Sequence, residues 1–331
     1  MKFGVGLFPT GPAGEMVRRA ALAEELGFDT FWVADTHLIW REMWVLLGAM
    51  AATTSRIALG PGVTHPIVRH SSLIAGAIAT LAELAPGRTH LGMGIGDSGP
   101  ANMGLPRASL AQLEAAVRDV RALLDGESVD SNGTPLRLAY ADRPAVPIYV
   151  AAASDRTHRA SGRFADGALV AGAIDELTTS VEAIRTGERE AGRPSGATEV
   201  VLFTTACLDD DLEVARAAVR PVVARKAILS LGRRARLGTL DPADQEPLRR
   251  LREAYDTHHH MEALYNDLVP ERWIDRFTMA GSPEHVLARC RKVAADGAHQ
   301  IAIVFAGPDP EVQMRHFSET VIRPMQQRSM A

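Results

Sequence analysis

The feature that most constrains this chain is an alternation of short β-rich runs with amphipathic helical stretches, repeated from the first residues to the last. Phe3–Phe8, Thr30–Ala34, Ile57–Val63, His90–Met93, Pro147–Ala151, Gly167–Val170, Glu199–Ala206 and Ile301–Phe305 read as strands. The intervening segments 15–26, 43–53, 68–84, 110–124, 156–164, 176–191, 211–225 and 282–295 carry apolar residues at helical spacing. Residues 126–147 read as a polar loop or small hairpin. Residues 226–280, charged and helical, break the rhythm. Eight strands alternating with helices predict an α/β fold, a (β/α)8 TIM barrel with a helical insertion (about 226–280) before the last βα unit. A doubly wound sheet uses the same alternation, but eight units favour the barrel. With no internal repeat and no low-complexity linker, residues 1–331 are expected to form one domain.

Composition narrows the function. The 36 Lys and Arg against 40 Asp and Glu give a net charge of −4, which leaves no electrostatic footprint for nucleic acid. Two cysteines, Cys207 and Cys290, make neither a disulfide framework nor a zinc site by themselves. No apolar run approaches the length of a membrane span, and MKFGVGLF reads as a strand rather than a secretion signal. A cytoplasmic protein with no membrane partner is the expectation.

In a barrel the functional groups belong at the carboxyl ends of the strands. That rule selects Pro9 and Thr10, then Asp35, Thr36 and His37, then Thr64 and His65, then Gly94–Ser98, then residues 152–157. In Arg88–Asp97, RTHLGMGIGD, glycines at 92, 94 and 96 bare one face of a strand end beside a carboxylate. A flat ligand could approach there, or the glycines could relieve crowding at a barrel corner. The fifth strand exits through AAASDRTHRASG, whose small residues and Ser154 suit a helix N-cap and also a phosphate site. His37 has the near-neutral titration that proton transfer needs, although a loop histidine is more often structural. Asp35, His37 and His65 could alternatively ligate a metal. No metal is expected at His258-His259-His260, because helical periodicity would point these side chains apart.

MKFGVGLFP, GFDTFWVADTH, RIALGPGVTHPIVRH, IATLAELAPGRTHLGMGIGD, VPIYVAAASDRTHRASGRFADG and DRFTMAGSPEHV, in this order, resemble the bacterial luciferase-like superfamily of flavin and deazaflavin oxidoreductases over essentially the whole chain. The similarity is greatest to its coenzyme F420-dependent branch, with methylenetetrahydromethanopterin reductase and the F420-dependent glucose-6-phosphate and secondary alcohol dehydrogenases. The resemblance implies a TIM barrel, commonly a homodimer. It implies a non-prolyl cis peptide at Gly62-Val63 behind the ring, with Thr64 following it. It places Gly94, Ile95 and Gly96 along the cofactor and puts Ala152, Ala153, Ser154 and Thr157 at its phosphate. It implies catalytic roles for His37, Asp35 and Asp97. Two departures stand out. Thr36 separates Asp35 from His37, where the family pair is adjacent. Gly6 stands where the methanopterin reductase carries a glutamate on its first strand.

The expected function is therefore an F420-dependent oxidoreductase that moves a hydride between deazaflavin C5 and a small organic substrate. An FMN-dependent monooxygenase keeps the same fold with another cofactor. A metal-dependent hydrolase barrel and a non-catalytic cofactor carrier are the remaining alternatives.

Overall fold

In a computed structural model, which describes residues 1–140, 144–256 and 263–327, eight parallel strands form a barrel. They are β1 (Lys2–Leu7), β2 (Thr30–Val33), β3 (Ala58–Pro61), β4 (Leu91–Met93), β5 (Ile148–Ala152), β6 (Gly167–Val170), β7 (Glu199–Leu208) and β8 (Gln300–Phe305). The hydrogen-bonded order runs β3-β2-β1-β8-β7-β6-β5-β4. Isolated parallel bridges Leu59–Thr89 and Thr64–Met93 join β3 to β4 and close the ring. The expected barrel is what the chain forms.

The two-residue period of the strands sorts their side chains. Val5, Phe31, Val150, Leu202 and Ile303 face outward into the main core with the helices. Trp32, Tyr149, Leu169, Val201 and Ala302 form a separate cluster in the barrel interior, joined by Val63 and Phe203. The glycines of β1 make room for this filling: a Cβ on Gly6 would lie 2.6 Å from Cζ of Phe203.

The helices packed outside the ring follow the sequence reading to within a few residues. They include α1 (Ala13–Glu25), α2 (Met43–Thr53), α3 (Ser71–Leu84), α4 (Leu110–Leu124), α5 (Asp155–Phe164) and α6 (Leu177–Glu190). The polar stretch after α4 contains the hairpin Val129–Ser131/Thr134–Leu136, turned by Asn132 and Gly133, both at positive φ.

The insertion differs from expectation at its start. Helix α7 (Leu212–Arg236) runs unbroken past Arg225, so the helix predicted over 211–225 is the first half of a longer one. Val219, Val223, Ala227 and Leu231, spaced by four, are all fully buried along one stripe and carry the helix through the charged segment. Then follow α8 (Pro242–Ala254), a short turn Ala263–Leu268 and α9 (Glu271–Phe277). Together these form a second apolar core around Tyr265, Trp273 and Phe277. The short strand Met279–Gly281 pairs beside β7 before α10 (Pro283–Ala295) leads into β8, and α11 (Pro310–Phe317) follows it. The insertion thus springs from the carboxyl end of β7, the rim where barrel chemistry lies. His258, His259 and His260 lie outside the described residues. Cys207 and Cys290 are both buried and unpaired.

Candidate active site

At the rim, the segment after β3 turns into the mouth. The Gly62-Val63 peptide is cis, and the Gly62 N–H donates to the carbonyl of Val33 at 2.7 Å. A Cβ on Gly62 would lie 2.7 Å from Cβ of Trp32. The backbone then zips onto β4: the Thr64 N–H donates to the Gly92 carbonyl at 3.0 Å, and the Gly94 N–H to the Thr64 carbonyl at 2.9 Å.

This pairing explains the glycine run. A Cβ on Gly92 or Gly94 would come within 2.9 Å of a methyl of Val63. The bare face of β4 therefore houses the Val63 side chain, and Val63 itself stands in the mouth between β3 and β4. Gly96 has φ +79° and packs with Gly99 against the His65 ring; a Cβ on Gly99 would sit 2.5 Å from His65 Nε2. Ile95 is half-buried beside them, its carbonyl accepting the Ala108 N–H at 2.8 Å.

Asp35 and His37 part company. Asp35 is buried and accepts from Thr64 Oγ1 at 2.8 Å and from Arg69 through both oxygens, at 2.9 and 3.1 Å. Arg69 also pairs with Glu42. Thr36, between them, shares a 3.0 Å hydrogen bond with Ser98 and so ties the β2 exit to the β4 loop. His37 is half-exposed and makes no hydrogen bond to a described residue. His65 is buried with Nδ1 unpartnered. Burial lowers its pKa and the positive Arg69 adds to this, against the pull of Asp35. With both oxygens of Asp35 held by a guanidinium, the metal alternative loses its carboxylate. Among the described residues no group of three His, Cys, Asp or Glu side chains could hold a metal ion.

Asp97 is equally committed. One oxygen pairs with Arg107, and the other with Arg225 of α7 at 2.9 Å. Further along α7, Arg233 donates to the carbonyl of Ala153 and Arg234 pairs with Glu176. One helix thus reaches the exits of β4, β5 and β6. Sequence reading missed Arg69, Arg225, Arg233 and Arg234, because their partners lie 34 to 128 residues away and no local motif joins them.

At the β5 exit a capping box is fully formed: Ser154 Oγ accepts the Thr157 N–H at 3.2 Å, and Thr157 Oγ1 accepts the Ala153 and Ser154 N–H groups at 3.1 and 3.0 Å. Ala152 is buried beneath it and Ala153 is exposed. The box engages three amides and leaves those of Asp155 and Arg156, the first two helical positions, facing out of the turn. One turn on, His158 is buried with Nε2 unpartnered, its pKa driven down to about 4 by burial.

The fold and rim have counterparts among known proteins. The family profile described as luciferase-like monooxygenase matches residues 1–300. The chain is 30% identical to a 5,10-methylenetetrahydromethanopterin reductase of Methanopyrus kandleri, over 97% of this chain and 98% of that one. It is 29% identical to an F420-dependent glucose-6-phosphate dehydrogenase of Nakamurella multipartita, over 94% and 92%. The solved structure of the coenzyme F420-dependent tetrahydromethanopterin reductase from Methanopyrus kandleri superposes with a TM-score of 0.82 at 27% identity, covering 98% of this chain and 99% of that one. With 300 residues matched by the profile, the chain belongs to the luciferase-like monooxygenase family.

Proposed function

We propose that this chain is an F420-dependent oxidoreductase acting on a small organic substrate. The observation that carries the reading is the pair of relatives. A methanopterin reductase and a sugar-phosphate dehydrogenase share no substrate, yet both match this chain end to end at 29–30% identity. What they have in common is the deazaflavin. FMN-dependent oxygenation is the competing reading: the description of the family as a whole points that way, and proteins of this fold solved with FMN share its architecture.

The residues present fit such a group. Val63, seated on Gly92 and Gly94, offers an apolar backing in the mouth. Ile95 and Gly96 continue that wall, with Thr64 buried behind it on Asp35. Ala152, Ala153, Ser154 and Thr157 shape the β5 turn, where the amides of Asp155 and Arg156 and the guanidinium of Arg233 suit a phosphate. When bound, F420 supplies hydride transfer at C5 of its ring. The protein supplies orientation and a proton. We assign the proton to His37, the rim histidine with an accessible, uncommitted imidazole. Asp35 and Asp97 are then positioning carboxylates: Asp35 holds Arg69 and Thr64 beneath the β3 turn, and Asp97 holds α7 over the rim. His37→Asn should lower kcat about 100-fold or more while leaving F420 affinity unchanged. A kcat within a few-fold of the parent would remove His37 from proton transfer.

The assembly we propose is a cytoplasmic homodimer. α2 and α3 present an apolar outer face in which Val45, Leu73 and Leu84 are 72%, 66% and 54% exposed, around a cleft floored by Gly48 and Gly76. A second copy of the same face would cover it. Among the described residues no helix is long and apolar enough to cross a membrane.

A further inference from the structure

His37 makes no hydrogen bond to a described residue, so its place over the rim is set by the backbone that carries it. Two buried neighbours pin that backbone in different directions. Asp35 reaches the β3 turn through Thr64 and Arg69. Thr36 reaches the β4 loop, where its hydroxyl meets Ser98 Oγ at 3.0 Å. The Thr36 carbonyl then accepts the Ile39 and Trp40 N–H groups at 3.1 and 2.9 Å, closing the turn that contains His37. The Trp40 ring stacks on Phe8 at 5.0 Å between centroids.

The other side of the Thr36 contact is equally well held. Ser98 opens a helical turn, Ser98–Ala101, directly after Asp97, which Arg107 and Arg225 grip. Gly99 follows it and lies against the His65 ring. The wall residues Ile95 and Gly96 belong to the same loop. Thr36 and Ser98 are 4% and 8% exposed, so bulk water does not compete for their hydrogen bond.

We infer that the Thr36–Ser98 hydroxyl pair is a positioning element of the active site. It sets the gap between His37 and the Ile95–Gly96 wall, so that both address one bound ring. Its effect on F420 rests on the cofactor reading; its hold on the turn 36–40 does not. The pair acts through geometry rather than net stability. Removing one hydroxyl leaves the other buried without a partner, which destabilises the fold. Removing both leaves an apolar contact of similar shape, which restores stability but not the link that fixes the gap.

The test is a double-variant cycle on the full chain with Thr36→Val, Ser98→Ala and the two combined. F420 fluorescence titration, the urea midpoint and amide exchange of Ile39 and Trp40 are read on each. Both single variants should weaken F420 about threefold to tenfold, lower the midpoint and speed exchange at the two amides. The combined variant should recover the midpoint while F420 affinity and amide exchange stay at the single-variant level. Thr36→Ser, which keeps the hydroxyl, should match wild type. F420 affinity that is unchanged in the single variants, or that recovers together with the midpoint, overturns the inference. Unchanged exchange at Ile39 and Trp40 overturns it as well, whatever F420 does. A wild type that does not bind F420, with exchange still faster in the variants, overturns the cofactor reading and sustains the hold on the turn.

Discussion

His90 and His158 show what individual buried side chains contribute. Burial drives their pKa values from 6.5 down to about 3 and about 4. Both fold as neutral rings, so the unfolded chain takes up their protons first as the pH falls. Their contribution to stability is complete above about pH 6.5. It declines as the pH drops toward 4 for His158 and toward 3 for His90. Between pH 7.5 and 5 each should cost about 2 kcal/mol of unfolding free energy. Urea melts across that range check this, and His90→Phe, which keeps a ring against Trp32, should flatten part of the slope. A flat profile in the parent would contradict the neutral burial of both rings. The same scale shows what sequence could and could not reveal. The RTHLGMGIGD glycines were legible as a bared strand face. Their occupant, Val63, was not, since the contact joins residues 29 to 31 apart through the closing of β3 onto β4.

Helix α7 is the element that sequence reading cut short. Its apolar stripe of Val219, Val223, Ala227 and Leu231 was visible at a spacing of four. Sequence reading ended the helix at Arg225 and took the charged run from Lys226 as a break in the rhythm, Arg233 and Arg234 being of the kind that lines a solvated helix face. Instead Arg225, Lys226, Arg233 and Arg234 reach partners on the barrel or the insertion: Asp97, the carbonyl of Phe277, the carbonyl of Ala153, and Glu176. Sequence spacing carries no sign of such partners. The Asp97 contact predicts a measurable effect. Partly exposed ion pairs contribute up to about 1 kcal/mol, so Asp97→Asn should raise amide exchange in 212–236 about twofold to fivefold and leave the barrel strands unaffected. Unchanged exchange in that helix would show that Asp97 does not hold it down. Helices α1 to α6 were read within a few residues because each is framed by its own strand and caps, as α4 is by Ser109 and Gln112, whereas α11 after the last strand was not read at all.

For the whole molecule, the alternation of strand and helix was enough to give the barrel, because eight βα units have few other ways to bury both faces of a parallel sheet. The substrate was not legible. The side chains that gather at the rim come from strand exits and from an insertion helix far apart in the sequence, and no local pattern names a ligand for them. The proposed dimer is testable at this scale: Leu73→Glu, on the exposed face of α3, should shift the sedimentation mass from twice 35.6 kDa to the single-chain value, with the fold intact. A parent that already sediments as one chain would remove the dimer from the account. The central claim is the cofactor. Parallel spectral titrations of the purified chain with F420 and with FMN should show saturable binding of one F420 per chain and no response to FMN. Gly94→Val, which would press on Val63, should lose the F420 signal. Saturable FMN binding with no response to F420 would contradict the account.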